Sequence, residues 1–398
     1  MGGKIGTALI SGAGIAGGAL AWHLAERGID VTVVEKATGQ RSSGNPVDVH
    51  DEALRVTERM GIADELRDGG TSVSRMVAVN RAGRRVASVP ASAVVAGTDG
   101  VEVPRAVIAD ILVRAAKGRA QVVFDEAIAE LHEDAHGVEV AFESGTSGRY
   151  DIVIGADGQH SRVRSLAFGS EERFADRIGM FVATVAAPDV QADPAELTML
   201  NVPGLSFTLH PSTGVPIGAF IFHSPLAAAF DSRGADTARS IVTDAYAGLG
   251  WRVPEFLDRF VAAPDVYFDT VTRIRMDAWH TGRVALLGDA ASSVSLFGDG
   301  SSSAIVGAST LADAVASHPD DPASAFTEYE RRHRLIVMPK QNLVRRSASM
   351  LVPTTAPGLA ARNLALRGIQ AYAALRHPSQ NRRESADSSA RSASGHLS

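Results

Sequence analysis

The sequence predicts an α/β fold in which a Rossmann-like domain is interrupted by an inserted, mainly antiparallel β-sheet domain and is followed by C-terminal helices. Three observations support this prediction. A strand, helix and strand pattern spans residues 7–35, longer β-like runs occupy residues 171–280, and a buried-strand pattern returns at residues 282–291. The first architecture therefore resumes after an insertion.

The first βαβ unit can be predicted in detail. Apolar runs predict strands from Thr7 to Ser11 and from Val31 to Glu35, and a helical pattern joins them from about Ile15 to Arg27. Gly28 stands where a glycine commonly ends a helix. A unit of this size is typical of parallel sheets.

The remaining elements follow in chain order. Helices are predicted at residues 51–68, 103–118, 302–317, 323–350 and 356–376, a hairpin at 73–90, and strands near 121–124, 127–132, 137–142 and 151–155. The Rossmann-like domain is expected to comprise residues 1–75, 100–170 and 281–355, and the inserted domain residues 76–99 and 171–280. A C-terminal helix is expected at 356–378, and residues 379–398 contain too few apolar side chains to pack, which predicts a disordered tail.

Composition limits the classes of partner. The 398 residues are 45% hydrophobic and carry a net charge of −6, so nucleic acid is not an expected partner. The absence of cysteine excludes disulfides and thiolate metal sites, and the histidines show no metal-ligand spacing. The longest apolar run, residues 218–230, is too short to span a membrane. The chain is therefore expected to be cytoplasmic and to bind small molecules.

A glycine-rich turn links the first strand to the first helix. Gly12, Gly14 and Gly17 form a GxGxxG pattern, and Glu35 ends the next strand. The three glycines suit a tight turn, the approach of a pyrophosphate to a helix N-terminus, and close packing of that helix on the sheet. A carboxylate at Glu35 suits the ribose hydroxyls and disfavours a 2′-phosphate, so FAD or NAD is predicted here rather than NADP.

Two further strands end in an acidic residue beside a glycine. The segment 150–164 contains Asp157 and Gly158 followed by Ser161 and Arg164, and the segment 282–291 contains Gly288 followed by Asp289. Parallel sheets bind ligands at the carboxyl ends of their strands. The three corners are therefore expected to meet at one site.

These three signatures, in this order and spacing over residues 5–350, resemble those of the class A FAD-dependent aromatic hydroxylases, typified by p-hydroxybenzoate hydroxylase. The resemblance is strongest to the compact branch that includes tetracycline-inactivating monooxygenases. It implies a GR2-type FAD-binding domain, NADPH or NADH as a transient reductant, and O₂ as co-substrate. It also implies insertion of one oxygen atom into an aromatic or polyketide-like molecule through a flavin C4a-hydroperoxide, with no side-chain catalyst required.

The resemblance also implies roles for individual residues. Arg41 would contact the nicotinamide nucleotide, Asp48 the flavin, Arg105 its ribityl or phosphate side, Asp157 the region shared by FAD and NAD(P)H, and Asp289 the ribityl and pyrophosphate groups. The start of the helix near Gly300, Ser301 and Ser302 would face the pyrimidine edge of the flavin. The full predicted cofactor set is Gly12, Gly14, Ile15, Ala16, Gly17, Glu35, Lys36, Arg41, Asp48, Arg105, Asp157, Asp289, Gly300, Ser301 and Ser302. Solvated surface charge is the alternative interpretation of Arg41 and Arg105.

The loop after Asp289 departs from the family pattern. Ser292 stands where histidine is common, and residues 292–297 contain no proline before Gly298 and Gly300. This departure motivates one alternative hypothesis, a redox-inactive flavin-binding protein. A flavin-dependent halogenase is a second alternative, although Trp22, Trp251 and Trp279 do not form its WxWxIP element.

A substrate pocket is predicted on the inserted sheet. Phe207, Phe220, Phe222 and Met276 could line this pocket, with core packing as the alternative role. A serine hydrolase is disfavoured because the serine-rich loop contains no GxSxG elbow and no base is identifiable.

Overall fold

The computed structural model describes residues 4–39, 46–93, 100–230, 235–264, 266–293 and 299–376. The strands are β1 (Thr7–Ser11), β2 (Asp30–Glu35), β3 (Pro46–His50), β4 (Arg75–Val79), β5 (Arg85–Pro90), β6 (Gly100–Pro104), β7 (Gln121–Phe124), β8 (Ile128–Asp134), β9 (Gly137–Phe142), β10 (Ser147–Tyr150), β11 (Ile152–Gly155), β12 (Ala175–Ala186), β13 (Glu196–Val202), β14 (Leu205–His210), β15 (Ile217–His223), β16 (Tyr267–Ile274), β17 (His280–Thr281) and β18 (Val284–Leu286). The helices are α1 (Ile15–Ala25), α2 (Asp51–Arg59), α3 (Ala63–Asp68), α4 (Arg105–Ala116), α5 (Arg162–Ala167), α6 (Ala235–Tyr246), α7 (Val253–Ala262), α8 (Asp289–Ser292), α9 (Asp299–Ser317), α10 (Pro322–Leu351) and α11 (Ala356–Arg376).

A six-stranded sheet in the order β17, β18, β11, β1, β2, β7 forms the first layer. All neighbours pair in parallel except β17 with β18. Its central strands are mostly apolar and are buried on both faces, as Ile10, Val153 and Leu286 show with no exposed surface. Complete burial of such a side chain contributes about 1.5–3 kcal/mol, so this sheet and the packed helices α1, α4 and α9 form the main core.

A seven-stranded sheet has the order β16, β12, β15, β14, β13, β4, β5. Only the pair β4 and β13 is parallel within it. A three-stranded meander of β8 to β10 and a ribbon of β3 with β6 complete the sheets of the described residues. The predicted mixed α/β class is confirmed, whereas the predicted domain boundaries stay predictions.

The two faces of the seven-stranded sheet differ in character. Phe207 pairs with Phe220 across β14 and β15, and both side chains lie in an aromatic core with residues of α6 and α7. Thr208 and Ala219, which are also paired, lie on the opposite face because successive side chains alternate along a strand. Near β5 and β13 this opposite face is covered by Leu366 of α11. One face of the sheet therefore packs against α6 and α7, and the other face is covered by α11 only near β5 and β13 among the described contacts.

Several local predictions were wrong. The helix predicted at 51–68 is two helices, because Gly61 adopts a φ of +73° between α2 and α3. The helix predicted from residue 103 begins at Arg105, after a strand that ends at Pro104. Helices α6 and α7 interrupt the region expected to be β-sheet. The predicted tail at 379–398 lies outside the described residues.

No helix within the described ranges is both long enough and apolar enough to cross a membrane.

Candidate functional site

Three loops meet at the carboxyl edge of adjacent parallel strands. The loops after β1, β11 and β18 contain Gly12, Asp157 and Gly288, and these three strands are neighbours in the sheet. Gly12 has a φ of +105°, and a Cβ there would lie 2.5 Å from the carbonyl oxygen of Ala156. A Cβ on Gly288 would lie 3.0 Å from Cβ of Ala16. Glycine is therefore required for the loops to approach one another this closely.

The N-terminus of α1 points out of this junction without a side-chain cap. Gly14 is the N-cap residue, and the first turn contains no acidic residue. A Cβ on Gly14 would meet no atom of the described residues within 4 Å, whereas one on Gly17 would overlap the carbonyl oxygen of Gly12. Open space before uncapped N–H groups fits a pyrophosphate, since the helix dipole favours an anion there. Ile15 and Ala16 supply this first turn.

Glu35 holds the glycine loop in place. Its Oε2 accepts a hydrogen bond from the backbone N–H of Ala13, and its Oε1 accepts one from Ala37, both at 2.9 Å. Each carboxylate oxygen has a second lone pair, so the predicted contact with a ribose stays compatible with these bonds. The neighbouring Lys36 is 79% exposed and lies 3.9 Å from Glu143.

The side chain of Asp157 forms hydrogen bonds mainly within its own loop. Its carboxylate accepts hydrogen bonds from Ser161 Oγ at 2.5 Å and from the backbone N–H groups of Arg162 and Val163 at 2.8 and 3.1 Å. It also accepts one from Ser11 Oγ at 3.3 Å. Burial raises the pKa of Asp157, which these hydrogen bonds oppose. The structure thus shows a carboxylate that caps α5 and joins it to β1, and the predicted cofactor contact stays a prediction.

Arg164 joins two of the signature loops. Its side chain is 1% exposed and donates to the carbonyl oxygen of Ala290 at 3.0 Å and to that of Gln159 at 2.6 Å. It also contacts Glu171 at 2.9 Å. The sequence motif contains this arginine, but no role was predicted for it, because its spacing does not reveal that the guanidinium would turn inward toward α8.

Arg105 and Asp289 lie together at the mouth of the junction. Nη2 of Arg105 is 3.5 Å from Oδ2 of Asp289, and the two side chains are 41% and 28% exposed. Gly300 adjoins them, since a Cβ there would lie 3.7 Å from Oδ1 of Asp289. The structure therefore brings three predicted residues together and leaves the two charged groups accessible to a ligand.

The start of α9 is fastened to β3. Ser302 Oγ donates to the carbonyl oxygen of Asp48 at 2.9 Å and accepts from the N–H of His50 at 3.2 Å. Ser301 is buried beside it. Burial, followed by the nearby Glu102 carboxylate, raises the pKa of Asp48 to about 6. Ser302 thus has a structural role that its predicted position at a flavin edge did not suggest.

His160 follows the Asp157 loop and lies between two carboxylates. Nδ1 is 3.1 Å from Glu171, and Nε2 is 3.1 Å from Asp269 on β16. Hydrogen bonds to Asp269 and then Glu171 raise the pKa of His160 to about 10, so the ring is an imidazolium at neutral pH. The contact with Asp269, which sequence spacing could not show, joins the loop after β11 to the seven-stranded sheet.

Two parts of the prediction fall outside the described residues. Arg41 is one, and the loop segment 294–298 with Gly298 is the other. Ser292 is described, and its Oγ lies 3.5 Å from the carbonyl oxygen of Gly288.

The four predicted pocket residues lie in packed cores. Phe207, Phe220 and Phe222 are at most 1% exposed and pack with side chains of α6 and α7. Tyr246 of α6 lies 4.9 Å from the Phe220 ring, between centroids. Met276 is 7% exposed within the core of the six-stranded sheet. The structure corrects this expectation in favour of the packing alternative, since the phenylalanine side chains occupy the sheet face that the helices cover.

Comparisons with known proteins agree with this geometry. The FAD binding domain family matches residues 6–339. An FAD-dependent monooxygenase, asL4 of Sarocladium schorii, is 32% identical over 359 residues, covering 81% of this chain and 82% of that protein. The crystal structure of tetracycline destructase Tet(55) has a TM-score of 0.80 and 28% identity, covering 93% and 97% of the two chains.

A further crystal structure shares the fold. It is HpxO of Klebsiella pneumoniae complexed with FAD and uric acid, with a TM-score of 0.72, 24% identity, and coverage of 91% of this chain and 93% of that one. Family, relatives and fold all lead to the same assignment. The chain belongs to the FAD binding domain family and is an FAD-dependent monooxygenase of class A.

Proposed function

We propose that this monooxygenase uses NADPH or NADH and O₂ to insert one oxygen atom into an aromatic or polyketide-like small molecule. The main observation that supports this proposal is the convergence of the α1 N-terminus, the Asp157 loop and Asp289 at one sheet edge. In this proposal the bound FAD supplies the redox chemistry through a C4a-hydroperoxide, and the other oxygen atom of O₂ leaves as water.

The chain's own residues position the cofactor. The N–H groups of the first turn of α1 bind the pyrophosphate, and Gly14 leaves room for it. Glu35 holds the glycine loop in place and also accepts hydrogen bonds from the ribose hydroxyls. From the exposed side of the junction, Arg105 contacts the ribityl or phosphate side of the cofactor and Asp289 contacts its ribityl and pyrophosphate groups. No side chain is assigned as a catalytic residue.

The substrate is proposed to bind on the face of the seven-stranded sheet that lies opposite the aromatic core. Tyr267 and Thr184 are direct partners across β16 and β12 and lie on this face. Burial raises the pKa of Tyr267, and the nearby Asp269, Arg105 and Asp289 also act on it. Tyr267 is therefore a neutral phenol near the proposed cofactor contacts. Its O–H is hydrogen-bonded to Asp269, so its oxygen is the atom that can accept a hydrogen bond from a substrate hydroxyl.

The similarity to a tetracycline destructase favours a polycyclic substrate. A tetracycline destructase shares the fold over nearly the whole chain at 28% identity. The hydroxyl and keto groups of such molecules match the polar side chains on the proposed substrate face. A flavin-binding protein without turnover is the competing hypothesis.

The test is a substrate screen on the purified, FAD-loaded protein. We expect a flavin visible spectrum, oxidation of NADPH or NADH that depends on substrate, and a product heavier by one oxygen atom in mass spectrometry. Flavin that no nicotinamide nucleotide reduces with any candidate substrate would favour the flavin-binding alternative. The Tyr267→Phe variant should keep the flavin and weaken substrate binding. Tyr372→Phe, on α11, is the matched control and should change neither flavin content nor substrate binding.

A further inference from the structure

Two carboxyl groups stand directly opposite each other on the ribbon of β3 and β6. Asp48 and Glu102 are Cα partners in this antiparallel pair, so their side chains lie on the same face. Opposed like charges destabilise a strand pair, and both groups are partly buried. Ionisation of both carboxyl groups at once is therefore unfavourable.

Glu102 has the hydrogen-bond donors that an ionised carboxylate needs. His210 Nε2 lies 3.1 Å from its Oε2, and Thr71 Oγ1 donates to the same oxygen. The backbone N–H of Ser212 donates to Nδ1 of His210 at 2.8 Å, so Nδ1 has no proton and Nε2 must be the N–H donor. Burial opposes ionisation of Glu102, but these hydrogen bonds outweigh it and its pKa is lowered.

Asp48 faces a mixed set of charges. Glu102 on β6 and Asp299 on α9 favour its protonated form, and His50 on β3 favours its ionised form. His210 on β14 would favour the ionised form only as a cation, and the N–H of Ser212 keeps its Nδ1 unprotonated. His50 lies 2.8 Å from Asp51 and 3.2 Å from Asp299, and Lys340 Nζ of α10 lies 3.1 Å from Asp299. The cations near the ribbon therefore contact Asp299 and Asp51 directly rather than Asp48.

The carboxyl pair adjoins the cofactor site. Ser302 binds the backbone of Asp48, and Gly300, two residues earlier on α9, lies against Asp289. The ribbon and Asp289 are thus attached to the same first turn of one helix. The pair therefore lies on a ribbon that adjoins the proposed cofactor site.

We propose that Asp48 and Glu102 share a single proton, that His210 keeps the negative charge on Glu102, and that Asp48 presents a carboxylic O–H donor to the bound FAD. The assignment rests on the proposed cofactor contacts of this site. His210 is a positioning residue here, because it contacts Glu102 and not the ligand. In this way the seven-stranded sheet, through His210, sets the protonation state of a group on the cofactor side.

The experiment measures the dissociation constant of FAD as a function of pH, by quenching of flavin fluorescence with the full-length apoprotein. Between about pH 5 and about pH 8 the constant for the unmodified protein should rise about tenfold, because ionised Asp48 loses its donor hydrogen. Asp48→Asn keeps an N–H donor at all pH values and should show a flat profile. Glu102→Gln removes the opposing charge, so the midpoint should move to lower pH.

Glu130→Gln is the matched control, since Glu130 is 69% exposed on β8. Its profile should equal that of the unmodified protein. Parallel profiles for the unmodified protein and Asp48→Asn, or an unmoved midpoint in Glu102→Gln, would overturn the proposal. For the role of His210, His210→Leu should move the midpoint and His210→Gln, which keeps an N–H donor, should restore it. Equal midpoints in both variants would contradict that role.

Thermal unfolding of the apoprotein separates this proposal from the proposed cofactor site. The stability of the unmodified protein relative to Asp48→Asn should fall as pH rises from about 4 through about 6, because a raised pKa makes ionisation cost native-state stability. If FAD fails to bind at every pH while this titration persists, the cofactor assignment is wrong and the shared proton stands. If the pH dependence of stability is absent, the proposal of a shared proton is wrong.

Discussion

Gly14→Ala and Gly17→Ala form a pair of substitutions that separates ligand binding from folding. Both add one methyl group to the same turn of α1. At Gly14 a Cβ meets no described atom within 4 Å, and φ is −77°, which alanine adopts readily. At Gly17 a Cβ would overlap the carbonyl oxygen of Gly12, so the helix or the turn must move.

The two variants should therefore differ in apoprotein stability. Gly14→Ala loses a slightly better N-cap residue and gains from a less flexible unfolded chain, which leaves a change within about 1 kcal/mol. Gly17→Ala forces a backbone contact apart, and overpacking of this kind costs about 1–3 kcal/mol or more. Urea unfolding of FAD-free protein, followed by circular dichroism, measures both values.

The affinity for FAD should be affected even in the stable Gly14→Ala variant. The space in front of Gly14 is the proposed position of the pyrophosphate, so its added methyl group should raise the dissociation constant about tenfold to a hundredfold by breaking hydrogen bonds to a charged ligand. Fluorescence quenching measures this constant on the stable Gly14→Ala apoprotein. A stable Gly14→Ala protein with FAD affinity within about twofold of the unmodified protein would refute the pyrophosphate position.

Three other predictions follow from single contacts. Asp289→Ala should lower FAD affinity at least about tenfold, and retention of full flavin occupancy after gel filtration would exclude the proposed contact. His160→Asn should remove a stabilisation that is present below about pH 6.5 and lost as pH rises through about 10, the pKa set by Asp269 and Glu171, so unfolding curves of the two proteins should converge in that window. Phe220→Ala should destabilise the protein by about 3–5 kcal/mol with unchanged FAD affinity, and a weaker FAD affinity without loss of stability would contradict its core role.

The parallel sheet and its glycines could be predicted from the sequence because local rules determine them. The bounds of β1 agree with the prediction at both ends, since a short apolar run before a glycine turn has few alternatives. The close contact at Gly12 is with Ala156 after β11 and is not local, but the steric need at Gly17 is, because a Cβ there would overlap the carbonyl oxygen of Gly12 in the same turn. Such features depend on neighbours in the chain.

Features that depend on distant partners could not be predicted. The ribbon of β3 and β6 pairs Asp48 with Glu102, which are 54 positions apart, and no periodicity marks either strand as the partner of the other. Phe207 and Phe220 alternate correctly for a strand, but the sequence does not show which face α6 and α7 cover. The choice between core and pocket therefore required the structure.

The acidic residues of the site show the same limit in chemical terms. Sequence reasoning treats Glu35, Asp157 and Asp289 alike, as carboxylates at strand ends. Among the described residues, Asp157 accepts four hydrogen bonds and Glu35 accepts two, whereas Asp289 has one long ion pair, with Arg105. A carboxylate whose lone-pair sites are already filled has little capacity left for a ligand, whereas one with fewer partners can still accept hydrogen bonds from a ligand. Direct contact with FAD is accordingly expected first from Asp289 and Arg105, with Asp157 acting through the loop that it holds.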